Sequence, residues 1–175
     1  MRQRIKAGWA KWRQVCGVIL DKKIPMKLRI KVYKTVIRPV LLYGSETWAM
    51  RRKEEGALER TEMRMLRWIL GISLMERIES DYIRKRAGIC KITNKARENR
   101  MRWFGHGVRR DEDDWIRKAK EMAVEGRRSR GRQRIRWRDV VERDMKGLDL
   151  DQAEDHDRNL WRRKTRAADP IGRWD

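Results

Sequence analysis

One stretch constrains the fold more than any other: Leu28 to Trp48, which reads LRIKVYKTVIRPVLLYGSETW. Its apolar residues recur at the spacing of one face of an α-helix, and its cations recur on the opposite face. The apolar set is Leu28, Val32, Tyr33, Val36, Ile37 and Val40, and the basic set is Lys27, Lys31, Lys34 and Arg38. We therefore predict a helix that buries one side and presents a line of cations on the other. The alternative is an ordinary core helix whose basic face is only solvated.

Shorter helical periodicities continue along the whole chain, and no segment reads convincingly as a strand. Pro39 predicts a kink or restart, and Gly71 predicts the end of a helix that begins after Trp48. Ser73 with Glu76 matches a capping box at the start of the next helix. Further helix starts are expected at Thr93 or Asn94, in the acidic run 111–114, near Trp137 and near Gln152.

These patterns predict an all-α fold: a small bundle of short helices with a mobile Arg/Gly-rich loop and a C-terminal helix. We expect two parts. Residues 1–110 form a helical bundle, and residues 111–175 form a basic helical extension that contains the loop at 126–134. That loop reads GRRSRGRQR and has no apolar residue to draw it into a core.

Composition and charge then narrow the class of binding partner. Charged residues make up 42% of the chain and hydrophobic residues 39%, against roughly 25% and 45–50% in typical globular chains, so the core must be small or divided. The net charge of +21 indicates a polyanionic partner, for which nucleic acid is the common candidate. Val15 to Leu20 is the longest apolar run and is far too short to span a bilayer, so we expect no membrane partner and a nuclear or cytoplasmic location.

The strongest functional feature is the segment from Gly126 to Arg138. It holds seven arginines and no acid, with one tryptophan among them: Arg127, Arg128, Arg130, Arg132, Arg134, Arg136, Trp137 and Arg138. Guanidinium groups make bidentate contacts with phosphates, and an aromatic ring can stack on a base. With the basic faces of two helices, these residues form the predicted nucleic-acid-binding set, whose remaining members are Lys27, Lys31, Lys34, Arg38, Arg97, Arg100 and Arg102. A basic linker or nuclear-import signal is the alternative for the loop.

No arrangement typical of catalysis or of a cofactor site is apparent. Asp113 and Asp114 are better explained as carboxylates at a helix start than as metal ligands. Cys16, Cys90, His106 and His156 are separated by 74, 16 and 50 residues, which matches no zinc module. The sequence also lacks a P-loop and a dinucleotide fingerprint. We therefore predict no catalytic residue, no metal and no cofactor.

Several longer segments nevertheless resemble a known family. They are IPMKLRIKVYKTVIRPVLLYGSETWAM, LERTEMRMLRWILGIS, DYIRKRAGI, RENRMRWFGHGVRRD, VEGRRSRGRQRIRWRDVVERDM and DRNLWRRKTRAADP. Together they resemble the region downstream of the catalytic palm in reverse transcriptases of non-LTR (LINE-type) retrotransposons, in the RTE-like group. In that family the region corresponds to the helical thumb and a basic C-terminal extension, which help to hold template and primer.

The resemblance implies a fragment of a polymerase, not an enzyme by itself. The family's chemistry needs palm aspartates in an aromatic-x-Asp-Asp motif, and this chain has none. Two positions depart from the expected pattern, Gly107 within the G-H-V run and Gln133 in place of a proline. The expected partners are RNA or DNA, bound without sequence preference, and the remainder of a reverse transcriptase. The alternatives are a protein-interaction or scaffold module and a decayed element remnant without a selected role.

Overall fold

The computed structural model describes residues 1–122, 131, 135–150 and 157–172. All regular structure within these ranges is helical, which confirms the predicted all-α class. The helices are α1 (Arg2–Ile19), α2 (Met26–Val32), α3 (Arg38–Leu42), α4 (Arg52–Leu70), α5 (Ser80–Ala87), α6 (Ile92–Val108), α7 (Trp115–Glu121), α8 (Trp137–Gly147) and α9 (Arg158–Thr165). Short 3₁₀ turns occupy Ser45–Thr47 and Leu74–Glu76.

The chain divides into two compact units, and each is described by itself. Unit 1 comprises Met1–Gly44, Arg52–Ala96 and Ala167–Asp175, and unit 2 comprises Ser45–Arg51 and Arg97–Arg166. This division differs from the boundary that we expected at residue 110. It falls within α6 and assigns the last segment to unit 1, because that segment packs on unit 1 through side chains that the sequence pattern does not reveal.

In unit 1, residues at helical spacing fill the core, including Ile30, Tyr33, Ile37 and Leu41. A π-helical turn, Tyr33–Ile37, joins α2 to α3 just before Pro39. Proline has no N–H for the helical ladder, and its ring crowds the preceding turn, so a local widening relieves the strain. The chain stays helical through Pro39, so the site of the predicted kink or restart is marked by a π-helical turn and not by a break. The predicted apolar face is wrong at Leu28, which is 50% exposed, while Ile30 is buried.

Unit 2 has its own small core, made from α6, α8 and α9. Its buried members are Met101, Val141, Met145, Leu150 and Trp161. Phe104, Trp137 and Leu148 pack against them and are partly buried. Aromatic and sulfur-containing side chains supply most of this apolar surface, as the small hydrophobic share of the chain requires.

Helix ends test the capping predictions. Asp114 caps α7 as the acidic run predicts, because its Oδ1 accepts a hydrogen bond of 2.8 Å from the Ile116 N–H. The Ser73–Glu76 capping box is also present, but it caps only a 3₁₀ turn. Arg77 adopts a left-handed conformation with φ of 50°, which interrupts the helix, so α5 begins at Ser80.

The expected cap of α6 at Thr93 or Asn94 is wrong. The helix begins at Ile92, and its first N–H donates to Glu62 Oε2 on α4 at 3.1 Å. The Thr93 hydroxyl instead donates to Glu59 at 2.6 Å. A side chain distant in sequence thus takes the place of a local cap, which sequence spacing alone does not reveal.

The loop predicted at 126–134 lies, apart from Gly131, outside the described residues, as does the stretch 151–156 at the expected start of the last helix. Within the described ranges, no helix has both the length and the apolar character that a membrane span needs.

Candidate nucleic-acid interface

The cations predicted on the α2–α3 face separate into two kinds. Lys27 and Lys31 are exposed. Arg38 is only 5% exposed: its Nη1 pairs with Asp169 Oδ1 at 3.0 Å, and its Nη2 donates to the Cys90 carbonyl at 2.9 Å. Lys34 also pairs with Asp169, at 3.2 Å, and donates to the Gly88 carbonyl at 2.6 Å. The expectation that Arg38 lies on an open basic face is therefore wrong, and Lys34 is partly committed to the fold.

Asp169 joins these groups in what we call the Asp169 cluster, formed by Lys34, Arg38, Cys90 and Asp169. Partial burial raises the pKa of the Asp169 carboxyl. The hydrogen bond from the Cys90 N–H and the charge of Arg38 outweigh that effect and hold the pKa well below its usual range. Burial raises the pKa of the Cys90 thiol, although the charge of Arg38 acts in the opposite direction.

A second buried polar group in unit 1 centres on Glu62. Its carboxylate accepts hydrogen bonds from the Tyr33 hydroxyl at 3.2 Å and from the Ile92 N–H at 3.1 Å, and Arg84 Nε lies 3.7 Å away. Burial raises the pKa of Glu62 to about 7, although Arg38, the Ile92 N–H and Arg84 act in the opposite direction. These contacts join the π-helical turn, α4, α5 and the start of α6 within unit 1.

The predicted cations of α6 also differ in their exposure to solvent. Arg100 is 1% exposed and makes a charge-assisted hydrogen bond from Nε to Asp144 Oδ2 at 2.8 Å. A second contact, from Nη2, reaches the same carboxylate oxygen. This burial corrects the prediction that Arg100 faces a polyanion. Arg97 is half-exposed, and Arg102 is fully on the surface.

Only part of the arginine-rich segment lies in the described residues. Arg136 and Arg138 are exposed, whereas Arg127, Arg128, Arg130, Arg132 and Arg134 lie outside the described ranges. Trp137 is half-buried: its indole N–H donates to the Glu46 carbonyl at 2.7 Å, and its ring packs near Phe104 with centroids 6.4 Å apart. Trp137 therefore serves the core of unit 2, which leaves little of its ring for a base.

Unit 2 contains a cleft of about 760 Å³ that we call the basic cleft. Five arginines and a single carboxylate line it, together with three aromatic or imidazole rings and one amide. The lining is Glu46, Asn99, Arg102, Trp103, His106, Arg109, Arg110, Arg158, Trp161 and Arg162. Such an excess of cations around a concave surface concentrates positive potential there and attracts anions.

The cleft depends on close packing between α6 and α9. Trp161 is 1% exposed, and its indole N–H donates to the Met101 carbonyl at 2.9 Å. Gly105 permits this approach, because a Cβ at that position would lie 2.5 Å from Trp161 Nε1. Asp157 begins α9 by accepting hydrogen bonds from the Asn159 and Leu160 N–H groups, and these bonds lower the pKa of its carboxyl. The packing brings Arg158 and Arg162, one turn apart, to the cleft.

The rings in the cleft differ in exposure. Trp103 is 38% exposed and lies beside His106, with ring centroids 5.8 Å apart and planes tilted by 31°. Arg110 donates from Nε to His106 Nε2 at 3.3 Å and also pairs with Asp114 at 3.5 Å. Among the residues that the structure describes, no ion pair involves Arg102, Arg158 or Arg162.

Sequence reasoning found Arg102 but missed the other members of the cleft. A signal exists in the spacing, because Arg102, His106 and Arg110 repeat every four residues, as do Arg158 and Arg162. The missing information is that α6 and α9 pack together at Gly105. In the described part of the chain, no three side chains are grouped as a metal site would require.

The chain is similar to a Caenorhabditis elegans protein known as transposon-derived and uncharacterized. The two are 26% identical over 159 residues, which cover 86% of this chain and 56% of the relative. The chain thus spans a little over half the length of that relative. No protein-family model and no solved structure matches the sequence. The similarity indicates a transposon origin for the chain.

Proposed function

We propose that the chain is the thumb and basic C-terminal region of a non-LTR retrotransposon reverse transcriptase, and that it binds template and primer through their phosphate backbones. The observation that carries the binding proposal is the basic cleft of unit 2, with five arginines against one carboxylate. The transposon-derived relative and the segments that resemble this polymerase family support the assignment of origin.

The chemistry of the cleft suits phosphate better than it suits a small metabolite. Guanidinium groups offer planar pairs of N–H donors that match phosphate oxygens, and they remain charged at all physiological pH values. Contacts of this type fix position without reading base sequence. The proposed contacting set keeps Lys27, Lys31, Arg97, Arg102, Arg136 and Arg138 and gains Arg109, Arg110, Arg158 and Arg162. Arg127, Arg128, Arg130, Arg132 and Arg134 remain in the proposal on sequence grounds alone.

The proposal assigns binding and no reaction to this chain. In the parent polymerase, the catalytic aspartates belong to the palm, and a thumb contributes by holding the duplex near them. The remainder of a reverse transcriptase is accordingly the proposed protein partner.

Binding of the wild-type chain to a mixed-sequence RNA–DNA duplex at two salt concentrations tests the proposal. If about 6–10 phosphates are neutralised, affinity should fall roughly 10³–10⁵-fold between about 50 and 200 mM salt. Weak binding that is insensitive to salt would contradict it.

A decayed remnant of a retroelement is the second candidate, and the comparison favours it directly, because the relative is known only as transposon-derived. Genomic copies of the element separate the two. If binding is selected, substitutions that change Arg102, Arg158 or Arg162 should be rarer than silent substitutions in the same codons. Equal frequencies would favour the remnant.

A further inference from the structure

We propose that the basic cleft is a site for single-stranded nucleic acid, in which Trp103 stacks on one base while arginines of α6 and α9 hold the neighbouring phosphates. This inference rests on the proposed function and specifies the form of nucleic acid that this surface takes. It concerns unit 2 alone.

The shape of the cleft favours a single strand over a duplex. A volume of about 760 Å³ lies within the range of roughly 300–1,000 Å³ that is typical of sites enclosing a compact ligand. A duplex hides the faces of its bases in its own stack, so a ring inside a cleft cannot reach them. Bases of a single strand are free to turn out, and proteins recognise them by aromatic stacking.

Trp103 is the ring placed for this contact. It lines the cleft at 38% exposure, whereas Trp161, the other tryptophan of the lining, is 1% exposed and packs in the core. The His106 ring supports Trp103 from one side, and Arg110 holds His106 through Nε2. The indole therefore keeps an accessible surface while its neighbours restrain it.

The arginines supply the second half of the site. Arg158 and Arg162 lie one turn apart on α9, so their side chains share a face, and Arg102 stands one residue before Trp103 on α6. Cations thus reach the cleft from both helices, with the indole among them. This combination of a cationic groove and a stacking ring is the general pattern of single-strand binding without sequence preference.

Affinity for a single-stranded RNA of about ten nucleotides, within the roughly 4–16 that single-strand sites occupy, tests the inference. Trp103→Ala should weaken binding by roughly 5- to 150-fold, the fold-change expected when one stacked base is lost. Trp103→Phe keeps a ring and should retain most of the affinity. Circular dichroism and the unfolding midpoint establish that each variant folds.

Two matched double variants test whether the cleft arginines contribute to single-strand affinity. Arg158→Gln with Arg162→Gln removes two cations from the cleft, and Arg163→Gln with Arg166→Gln removes two exposed cations from the same region outside the lining. The first pair should lose at least about tenfold more affinity for the single strand than the second. The blunt duplex of the same sequence should lose less than the single strand does.

Three results would overturn the inference while the wild-type chain still binds nucleic acid: unchanged affinity in Trp103→Ala, equal losses in the two double variants, or equal losses for single strand and duplex. A wild-type chain that binds no nucleic acid at low salt would remove the proposed function itself. The two failures are therefore distinct.

Discussion

The Asp169 cluster of unit 1 and the basic cleft of unit 2 both gather arginine side chains, yet they use them in opposite ways. In the cluster, Arg38 is buried and is held by Asp169 and by the Cys90 carbonyl. In the cleft, Arg102, Arg158 and Arg162 are exposed at an open surface. The net charge of +21 therefore overstates the number of cations that a partner can contact, because some of them are paired inside the fold.

The physical distinction lies in desolvation. A buried guanidinium has lost its water and must find a carboxylate or carbonyl within the fold, so removal of its partner leaves an uncompensated charge. A surface guanidinium keeps its water and its loosely bound counterions, which a phosphate can displace. Substitutions at the first kind should change the free energy of unfolding, and substitutions at the second kind should change affinity.

The largest effect is expected at the buried pair Arg100–Asp144. Asp144→Ala should lower the free energy of unfolding by about 3–5 kcal/mol, because it leaves Arg100 buried without its counter-charge. Arg102→Ala is the matched control on the same helix and should change stability by at most about 0.5 kcal/mol. Urea unfolding measures both. Similar losses in the two variants would erase the distinction between buried and cleft arginines.

Asp169→Asn should have the next largest effect, about 1.5–3 kcal/mol at neutral pH, since it weakens charge-assisted hydrogen bonds to Arg38. The pKa of Asp169 is depressed in the folded state, so its contribution is complete above the unfolded pKa of about 3.9 and is lost as pH falls below that value. Wild type and variant should therefore converge in acid. A constant difference in stability from neutral pH into acid would contradict this assignment.

Gly105→Ala tests how the cleft is built. The added Cβ would lie 2.5 Å from Trp161 Nε1, so we expect a loss of about 1–3 kcal/mol and reduced binding of a single strand. Gly147→Ala is the control, because nothing lies within 4 Å of its added Cβ, and it should leave stability unchanged or raise it by up to about 1 kcal/mol. Full stability and affinity in the first variant would refute the packing argument.

A change in the slope of stability against pH is expected at Glu62. Burial raises the pKa of its carboxyl to about 7, so the folded state holds a proton that the unfolded state releases near pH 4.5. Stability should therefore fall as pH rises from about 4.5 to 7, by about 3 kcal/mol, since each unit of pKa difference corresponds to about 1.4 kcal/mol. Glu62→Gln cannot titrate and should flatten that decline. A wild-type profile that rises through this window would show that Tyr33, Ile92 and Arg84 stabilise the carboxylate more strongly than burial destabilises it.

The sequence predicts the elements of this fold well where the causes are local. Helical periodicity identifies the all-α class, and the spacing of Asp114 identifies the cap of α7. Prediction from the sequence fails where the interacting side chain is distant along the chain. Lys31 and Arg38 look alike on a helical wheel, but the carboxylate that captures Arg38 lies 131 residues further along the chain. The start of α6 depends in the same way on Glu62.

The candidate site was predicted only in part, for the same reason. Arg102 is recognisable from its position on a basic helix face. Arg158 and Arg162 are recognisable as a pair, yet only the contact between Gly105 and Trp161 shows that they share a cleft with Arg102. A close approach made possible by one missing Cβ is a property of tertiary packing, and no local pattern encodes it.

The salt dependence of single-strand affinity tests the central claim most directly: Arg158 and Arg162 in the cleft contact the phosphates of a single strand, whereas the exposed Arg163 and Arg166 outside it do not. Each phosphate contact on a single strand contributes about 0.7 to the slope of log affinity against log salt. Arg158→Gln with Arg162→Gln should reduce the wild-type slope by about 1.4, while Arg163→Gln with Arg166→Gln should leave it unchanged. A cleft variant that retains the wild-type slope would contradict the account.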